Sequence, residues 1–255
     1  MSENVLTDRN NGLLTLRLHR PEKYNALTNA MYSALAEALF VANRDNEIRV
    51  VLITGGDICF TSGNDLKDFI ESPPTHLDAP AFSFMKAVIE LEKPLVAAVC
   101  GAAIGIGTTL LPHCDLVYIT HDSKLGMPFV KLGLCQEFAA SLMMPNLLGP
   151  VRAAQLLLCG DLFSGRQAAD WGLANAAFDN AGLCQQAALE QANKLVSQPQ
   201  QALRASKRLL RAPRLSAVSN IIREENEAFI ASLQTTESYL AITAALNGTK
   251  KSVNS

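Results

Sequence analysis

Short, unbroken apolar runs alternate in the first half of the chain with stretches whose apolar residues recur every three or four positions. Leu13-Leu14-Thr15-Leu16-Arg17-Leu18, followed by Arg20-Pro21, reads as a strand, and residues 27–41 then carry apolar side chains at helical spacing. The alternation returns in Val50-Val51-Leu52-Ile53-Thr54 before Gly55-Gly56. It returns again in Leu95-Val96-Ala97-Ala98-Val99, before a glycine-rich segment and a helical turn at 108–111, and Leu116-Val117-Tyr118-Ile119 adds a fourth strand. Strands separated by helices predict an α/β fold in which each strand's carboxyl end delivers a loop to one side, where ligands commonly bind. Beyond Pro145 helical spacing dominates, over 151–158, 165–171, 183–196 and 199–210. After Pro213 a last apolar helical segment, 216–246, carries Ile221, Ile222, Phe229, Ile230 and Leu233, an arrangement suited to a partner-facing layer.

Residues 94–112 carry no charge and come close to the ~20 residues that span a bilayer. Pro94 and Pro112 bound the stretch and three glycines interrupt it, so a buried strand and a turn are expected there, not a membrane helix. At 255 residues, 49% hydrophobic and 18% charged, the chain buries a sizeable core as one large domain or two unequal ones. Its 22 basic and 24 acidic residues leave a net charge of -2, with no electrostatic footprint for nucleic acid or an anionic membrane. The six cysteines are scattered without a CxxC pair and read as small buried hydrophobes in a reducing compartment. Met1-Ser2-Glu3-Asn4-Val5 lacks the basic-then-apolar order of a secretory signal, and Lys251-Ser252-Val253-Asn254-Ser255 is no peroxisomal address; a cytoplasmic location is expected.

Candidate chemistry centres on Glu137, a lone carboxylate in Leu132-Gly133-Leu134-Cys135-Gln136-Glu137-Phe138-Ala139-Ala140, a setting that raises a carboxyl pKa towards the range useful for proton transfer. Two upstream segments, Thr61-Ser62-Gly63-Asn64-Asp65-Leu66 and Gly101-Ala102-Ala103-Ile104-Gly105-Ile106-Gly107, offer backbone N–H groups to polarise a carbonyl. A base and an anion hole together suggest enolate chemistry. The second segment fails the dinucleotide pattern GxGxxG because Leu110 stands in place of the third glycine, so no nicotinamide cofactor is implied. His113-Cys114-Asp115 offers ligand types, but adjacent residues rarely converge on one ion, so no metal is expected and Asp115 reads as a cap or turn residue. The four histidines have no partner nucleophile for a hydrolase triad. Arg204, Lys207, Arg208 and Arg211 fall near one helix face, which is either a solvated surface or a contact for phosphates.

Four motifs in register resemble the crotonase superfamily of enoyl-CoA hydratases and isomerases. They are Leu18-His19-Arg20-Pro21-Glu22-Lys23-Tyr24-Asn25-Ala26-Leu27, Phe60-Thr61-Ser62-Gly63-Asn64-Asp65-Leu66, Gly101-Ala102-Ala103-Ile104-Gly105 followed by Cys114-Asp115, and Phe163-Ser164-Gly165-Arg166-Gln167-Ala168, with Trp171-Gly172-Leu173 and Ser206-Lys207 beyond. The resemblance implies a spiral of ββα units over 1–200 and a helical trimerisation region over 201–255, assembled as a homotrimer or a dimer of trimers. It implies an acyl-CoA thioester whose carbonyl is held between the Asn64 and Ile106 N–H groups, with Gly63 and Gly105 permitting the tight backbone. It also places Lys23, Tyr24, Ala26, Ser62, Asp65 and Leu66 around CoA. No separate cofactor is implied, since CoA is part of the substrate.

The departures from the family pattern narrow the reaction. Hydratases of the family position a water with two glutamates, and those places hold Thr109 and Phe129 here. The segment 132–137 is instead similar to that of the Δ3,Δ2-enoyl-CoA isomerases, whose single catalytic glutamate matches Glu137. The expected reaction converts a 3-enoyl-CoA to the trans-2-enoyl-CoA. Glu137 would take a proton at C2 and return one at C4, and Phe129, Phe138 and Met143 would wall the acyl chain. A hydratase or other crotonase-type reaction and a non-catalytic acyl-CoA-binding trimer are the alternatives.

Overall fold

The computed structural model describes residues 3–253. The chain opens with a hairpin, β1 (Val5–Asn10) antiparallel to β2 (Leu13–Leu18), and continues through a turn at Pro21–Lys23 into α1 (Asn29–Arg44). Thr28 caps that helix by accepting from the Met31 N–H at 3.3 Å. Then come β3 (Val50–Thr54), β4 (Cys59–Thr61), α2 (Leu66–Glu71), α3 (Pro80–Glu90), β5 (Leu95–Val99), β6 (Ala102–Ile104) and α4 (Ile106–Thr109). A third round gives β7 (Leu116–Thr120), β8 (Lys124–Gly126), a turn at Phe129–Leu132, α5 (Ala140–Leu148) and α6 (Pro150–Ala154). A π-helical turn at Gln155–Cys159 leads to β9 (Leu162–Ser164), α7 (Gly165–Asp170) and β10 (Ala176–Phe178). Three helices close the chain: α8 (Ala181–Val196), α9 (Gln200–Leu233) and α10 (Thr236–Val253).

Successive turns of the spiral place one strand in each of two sheets. The larger sheet runs β1-β2-β3-β5-β7-β10, parallel from β2 onward, and the smaller runs β4-β6-β8-β9. The apolar runs of β3 and β5 are fully buried because both faces of the large sheet are covered. Val51, Ile53, Ala97 and Val99 point towards the small sheet and α1, where Phe60, Ala103 and Leu125 complete the main core. Val50, Leu52, Val96 and Ala98 point the other way, onto Cys184, Ala188 and Ala192 of α8. This two-sheet spiral, with its helical region at the C-terminus, is the architecture that the family resemblance implied.

The predicted strands at 13–18, 50–54 and 95–99 fall where the hydrophobic runs placed them. Residues 94–112 divide into β5, β6, α4 and a 3-10 turn, and no described helix is long and apolar enough to cross a membrane. The structure departs from the sequence reading in several places. The expected segment 216–246 is divided between α9 and α10, and its apolar residues Ile222, Phe229, Ile230 and Leu233 pack into this chain's main core and do not form a partner-facing layer. β1 exposes every residue but Val5, so it carries no apolar run to reveal it. The helical segments on either side of Pro213 are one continuous helix, α9. Proline removes one N–H from the ladder, but here both halves of the helix are anchored, at Lys207 and Arg211 on one side and at Val218 and Phe229 on the other.

The first of those anchors corrects the reading of the basic stripe. Lys207 is buried and donates to Asp115 Oδ2 at 2.7 Å and to the Lys93 carbonyl. Arg211 donates to the His113 carbonyl and lies 3.4 Å from Asp115 Oδ1, and Arg204 pairs with Glu92. Asp115 in turn accepts from the Leu95 N–H at 2.7 Å, so one carboxylate joins β5, β7 and α9. Burial pulls the Lys207 ammonium down to about 8, and Asp115 opposes that shift. Replacing Asp115 with Ala strands two cations against the core and is expected to destabilise the protein by about 3 kcal/mol, read as a lower urea midpoint.

Candidate active site

The carboxyl ends of β4 and β6 lie side by side, and the two glycine turns after them meet. Gly63 has φ +96°, and a Cβ there would lie 2.9 Å from the Ile104 carbonyl oxygen and 3.9 Å from the Gly105 Cα. Gly105 has φ 58° and ψ -119°, a conformation that side chains forbid. Each glycine therefore allows the other's close approach, and the next peptide N–H along each turn is that of Asn64 or Ile106. Neither donates to an acceptor among the described residues. Uncommitted N–H groups on two adjoining glycine turns are the kind of donor that can hold a developing oxyanion.

Glu137 approaches from the third turn of the spiral. It is 1% exposed, and the chain reaches inward because Phe138 (φ 63°) and Ala139 (φ 55°) both adopt the left-handed conformation. His113 holds that turn: its ring stacks on Phe138 at 4.1 Å, and its Nε2 lies 2.7 Å from the Phe138 carbonyl oxygen. Burial drives the His113 pKa down to about 3, so the ring is neutral, and because a carbonyl only accepts, Nε2 carries the proton.

Burial pushes the Glu137 carboxyl up to about 8; the Asn64 amide, which donates from Nδ2 to Oε1 at 3.4 Å, pulls it back, and Glu225 adds to the rise. Tyr32 of α1, itself buried, donates to Asn64 Oδ1. The phenol keeps its proton because burial and the nearby Glu137 raise its pKa well above the ordinary value. This contact fixes which end of the Asn64 amide faces the carboxyl, so residue 64 serves with both its main chain and its side chain.

The segments 23–26 and 62–66 form one rim. Ser62 N–H donates to the Tyr24 carbonyl at 2.9 Å, Ser62 Oγ to the Lys23 carbonyl at 3.3 Å, and Leu27 N–H to the Gly63 carbonyl at 2.8 Å. Lys23 and Tyr24 are exposed on that rim, and Ala26 is half-buried. Asp65 is already engaged: it pairs with Arg20 at 2.6 Å and caps α2 through the Lys67 N–H, contacts that hold its pKa low against the effect of burial. Leu66 begins α2. Phe129 is buried beside Gly105 and packs edge-on against Phe229, which packs against Phe69. Phe138 instead lies between His113 and Phe84, and Met143 packs with Ala139 and Val218. Thr109, at the first glutamate's place in hydratases, is buried with a hydroxyl that has no partner among the described residues. Also among them, no cluster of three His, Cys, Asp or Glu side chains is placed to hold a metal.

With this geometry, comparison with known proteins is decisive about the family. The family model described as enoyl-CoA hydratase/isomerase matches residues 8–246. The 1,2-epoxyphenylacetyl-CoA isomerase of Escherichia coli K12 is 34% identical over 206 residues, 78% of each chain. Human enoyl-CoA delta isomerase 2 is 31% identical over 216 residues, 82% of this chain and 54% of that protein, so the chain spans about half its length. The structure of Pseudomonas aeruginosa OdaA superposes with a TM-score of 0.94 at 50% identity, covering 95% of this chain and 98% of the other. The chain belongs to the enoyl-CoA hydratase/isomerase family, the crotonase superfamily, and is an enzyme of that family.

Sequence reasoning singled out Glu137, Asn64 and Ile106 through motifs, and the structure brings Asn64 to Glu137 and packs the turns that carry Asn64 and Ile106 together; it gave no role to Tyr32, His113 or Glu225. Tyr32 sits among the apolar positions of α1, and nothing in its spacing distinguishes it from core. The raised Glu137 pKa has a stability consequence whose sign is fixed. The folded state holds its proton up to about 8, whereas the unfolded chain releases it near 4.5, so stability falls as pH rises between those values. Glu137→Gln, which stays neutral, should melt above the wild type at pH 9, with the gap closing by pH 4.

Proposed function

We propose that this enzyme shifts the double bond of a 3-enoyl-CoA to give the trans-2-enoyl-CoA, as a step of fatty acid degradation. The observation that carries this reading is the buried Glu137 carboxyl, with its proton affinity raised to about 8, on the same side of the fold as two uncommitted N–H groups. The thioester oxygen accepts from the Asn64 and Ile106 N–H groups. Glu137 removes a proton from C2, the charge moves onto the oxygen as an enolate, and the same carboxyl then returns a proton to C4. Atoms balance without water: one proton leaves C2, one arrives at C4, and the double bond moves by one position. A shared base suffices because both carbons lie on one conjugated fragment. The two N–H groups lower the barrier by stabilising the enolate more than the ground-state carbonyl.

Hydration is disfavoured by the replacement of both water-holding glutamates, since Thr109 and Phe129 cannot activate water as a carboxylate pair does. The same base and oxyanion hole would also suit other isomerisations of acyl-CoA thioesters, which fits the two activities named for the bacterial and human relatives. CoA lies along the rim formed by Lys23, Tyr24, Ala26, Ser62, Gly63, Asp65 and Leu66, with Asp65 shaping the rim through Arg20. Phe129 closes the acyl side. Exposed apolar side chains at Val151, Leu158 and Leu210 suit burial between subunits of a homotrimer or dimer of trimers, working in the cytoplasm.

Incubation with a 3-enoyl-CoA should produce ultraviolet absorbance of the conjugated thioester without a mass gain of one water. Glu137→Gln should lower kcat by roughly a hundred- to ten-thousandfold while acyl-CoA still binds. The wild-type kcat/KM should rise with pH through about 8, as the base loses its proton. A hydrated product, or turnover that survives in Glu137→Gln, would contradict the assignment.

A further inference from the structure

Glu137 does not stand alone in the apolar interior. Glu225, about three-quarters of the way along α9, reaches the start of α5, where its Oε1 accepts from the Ser141 N–H at 2.9 Å. Residue 139, the N-cap of α5, is alanine and supplies no side-chain oxygen. A residue from a distant helix therefore serves as the acceptor that a Ser, Thr or Asp would ordinarily provide at that end. The helix it caps begins directly after the left-handed turn that points Glu137 inward. The same stretch of α9 is joined to the strand-like segment before Glu137, because Cys135 Sγ donates to the Glu225 carbonyl at 3.8 Å.

Glu225 is 5% exposed, and its second oxygen, Oε2, is buried without a hydrogen-bond partner among the described residues. No Lys or Arg pairs with it among those residues. A buried carboxyl that caps a helix with one oxygen and has no partner for the other favours its protonated form. We infer that Glu225 is a positioning residue for Glu137: it braces the turn that aims the acid/base and sets a second buried carboxyl beside it. This rests on Glu137 being the acid/base proposed above.

The electrostatics follow the geometry. The groups that face Glu137 are Tyr32 from α1, the Asn64 amide after β4 and Glu225 from α9. Those that face Glu225 are the Ser141 N–H and hydroxyl and the Ala139 and Ala140 N–H groups at the start of α5, the Cys135 thiol and Glu137, none of them a cation. Burial raises Glu225 as well, with the helix N–H groups opposing it. Two carboxyls with no cation between them resist ionising together, so a charge on either keeps the proton on the other. Glu225 thereby helps Glu137 hold a proton long enough to deliver it to C4.

Carboxyl 13C NMR of protein labelled in its glutamate side chains tests this directly, with Glu137→Gln identifying the resonance of residue 137. In the wild type that resonance should titrate in two steps centred near 8. Glu225→Gln keeps an oxygen for the Ser141 N–H but removes the charge. It should give a single step about one unit lower, and the pH at half-maximal kcat/KM should move down equally. Glu225→Ala should in addition lower the melting temperature. An unchanged Glu137 midpoint in Glu225→Gln would overturn the inference and leave Glu225 as a helix cap only. Should Glu225→Gln not fold, the wild-type curve decides, since one simple step overturns the inference by itself. Because the titration needs no turnover, it reads the same if 3-enoyl-CoA proves not to be a substrate, and the two failures stay distinct.

Discussion

The turn at Phe138 and Ala139 is the constraint on which the site depends. Two consecutive non-glycine residues in the left-handed region cost about 1–2 kcal/mol each, and the chain accepts that cost where it carries the Glu137 carboxyl into the interior. The strain is opposed by contacts from three separate elements. His113 stacks under Phe138 and holds its carbonyl, Phe84 of α3 packs on the ring's other side, and α5 begins immediately beyond. A glycine at either position would relieve the strain and also loosen the aim, so the side chains that make the turn costly are the ones that make it single-valued.

From that turn the chemistry follows by elimination of water. A carboxyl at 1% exposure, facing an amide and no cation, binds its proton far more tightly than a surface glutamate does. Such a group can take a weakly acidic carbon-bound proton only if the resulting negative charge is stabilised elsewhere, and the turns after β4 and β6 provide that elsewhere. In the proposed reaction the oxyanion donors would be main-chain groups beside two mutually clearing glycines, which need no reorganisation when charge develops. The large sheet, covered on both faces, is the rigid body from which both parts of the site project.

The sequence made the central strands legible because each is an uninterrupted apolar run, and made Glu137, Asn64 and Ile106 legible because each sits in a local motif. β1 was invisible for the opposite reason, being an exposed edge strand with one buried residue. Pro213 misled because a local rule for ending helices was outweighed by long-range anchors on both sides of it. Lys207 looks like its neighbours Arg204 and Arg208 in any helical projection, and only its partner Asp115, ninety-two positions earlier, shows that it faces the core. Tyr32, His113 and Glu225 share that obscurity. Each bears on Glu137 or its turn through a contact between elements far apart in the chain, and no spacing within one element encodes such a meeting.

The central claim is that one sheltered carboxyl carries a proton from one carbon to another. The measurement that bears on it most directly is the fate of deuterium in a 3-enoyl-CoA labelled at C2, converted in ordinary water. Transfer by Glu137 predicts a trans-2-enoyl product with deuterium at C4, since a buried carboxyl exchanges with solvent more slowly than an exposed one. Solvent hydrogen alone at C4, or uptake of solvent oxygen into the product, would contradict it.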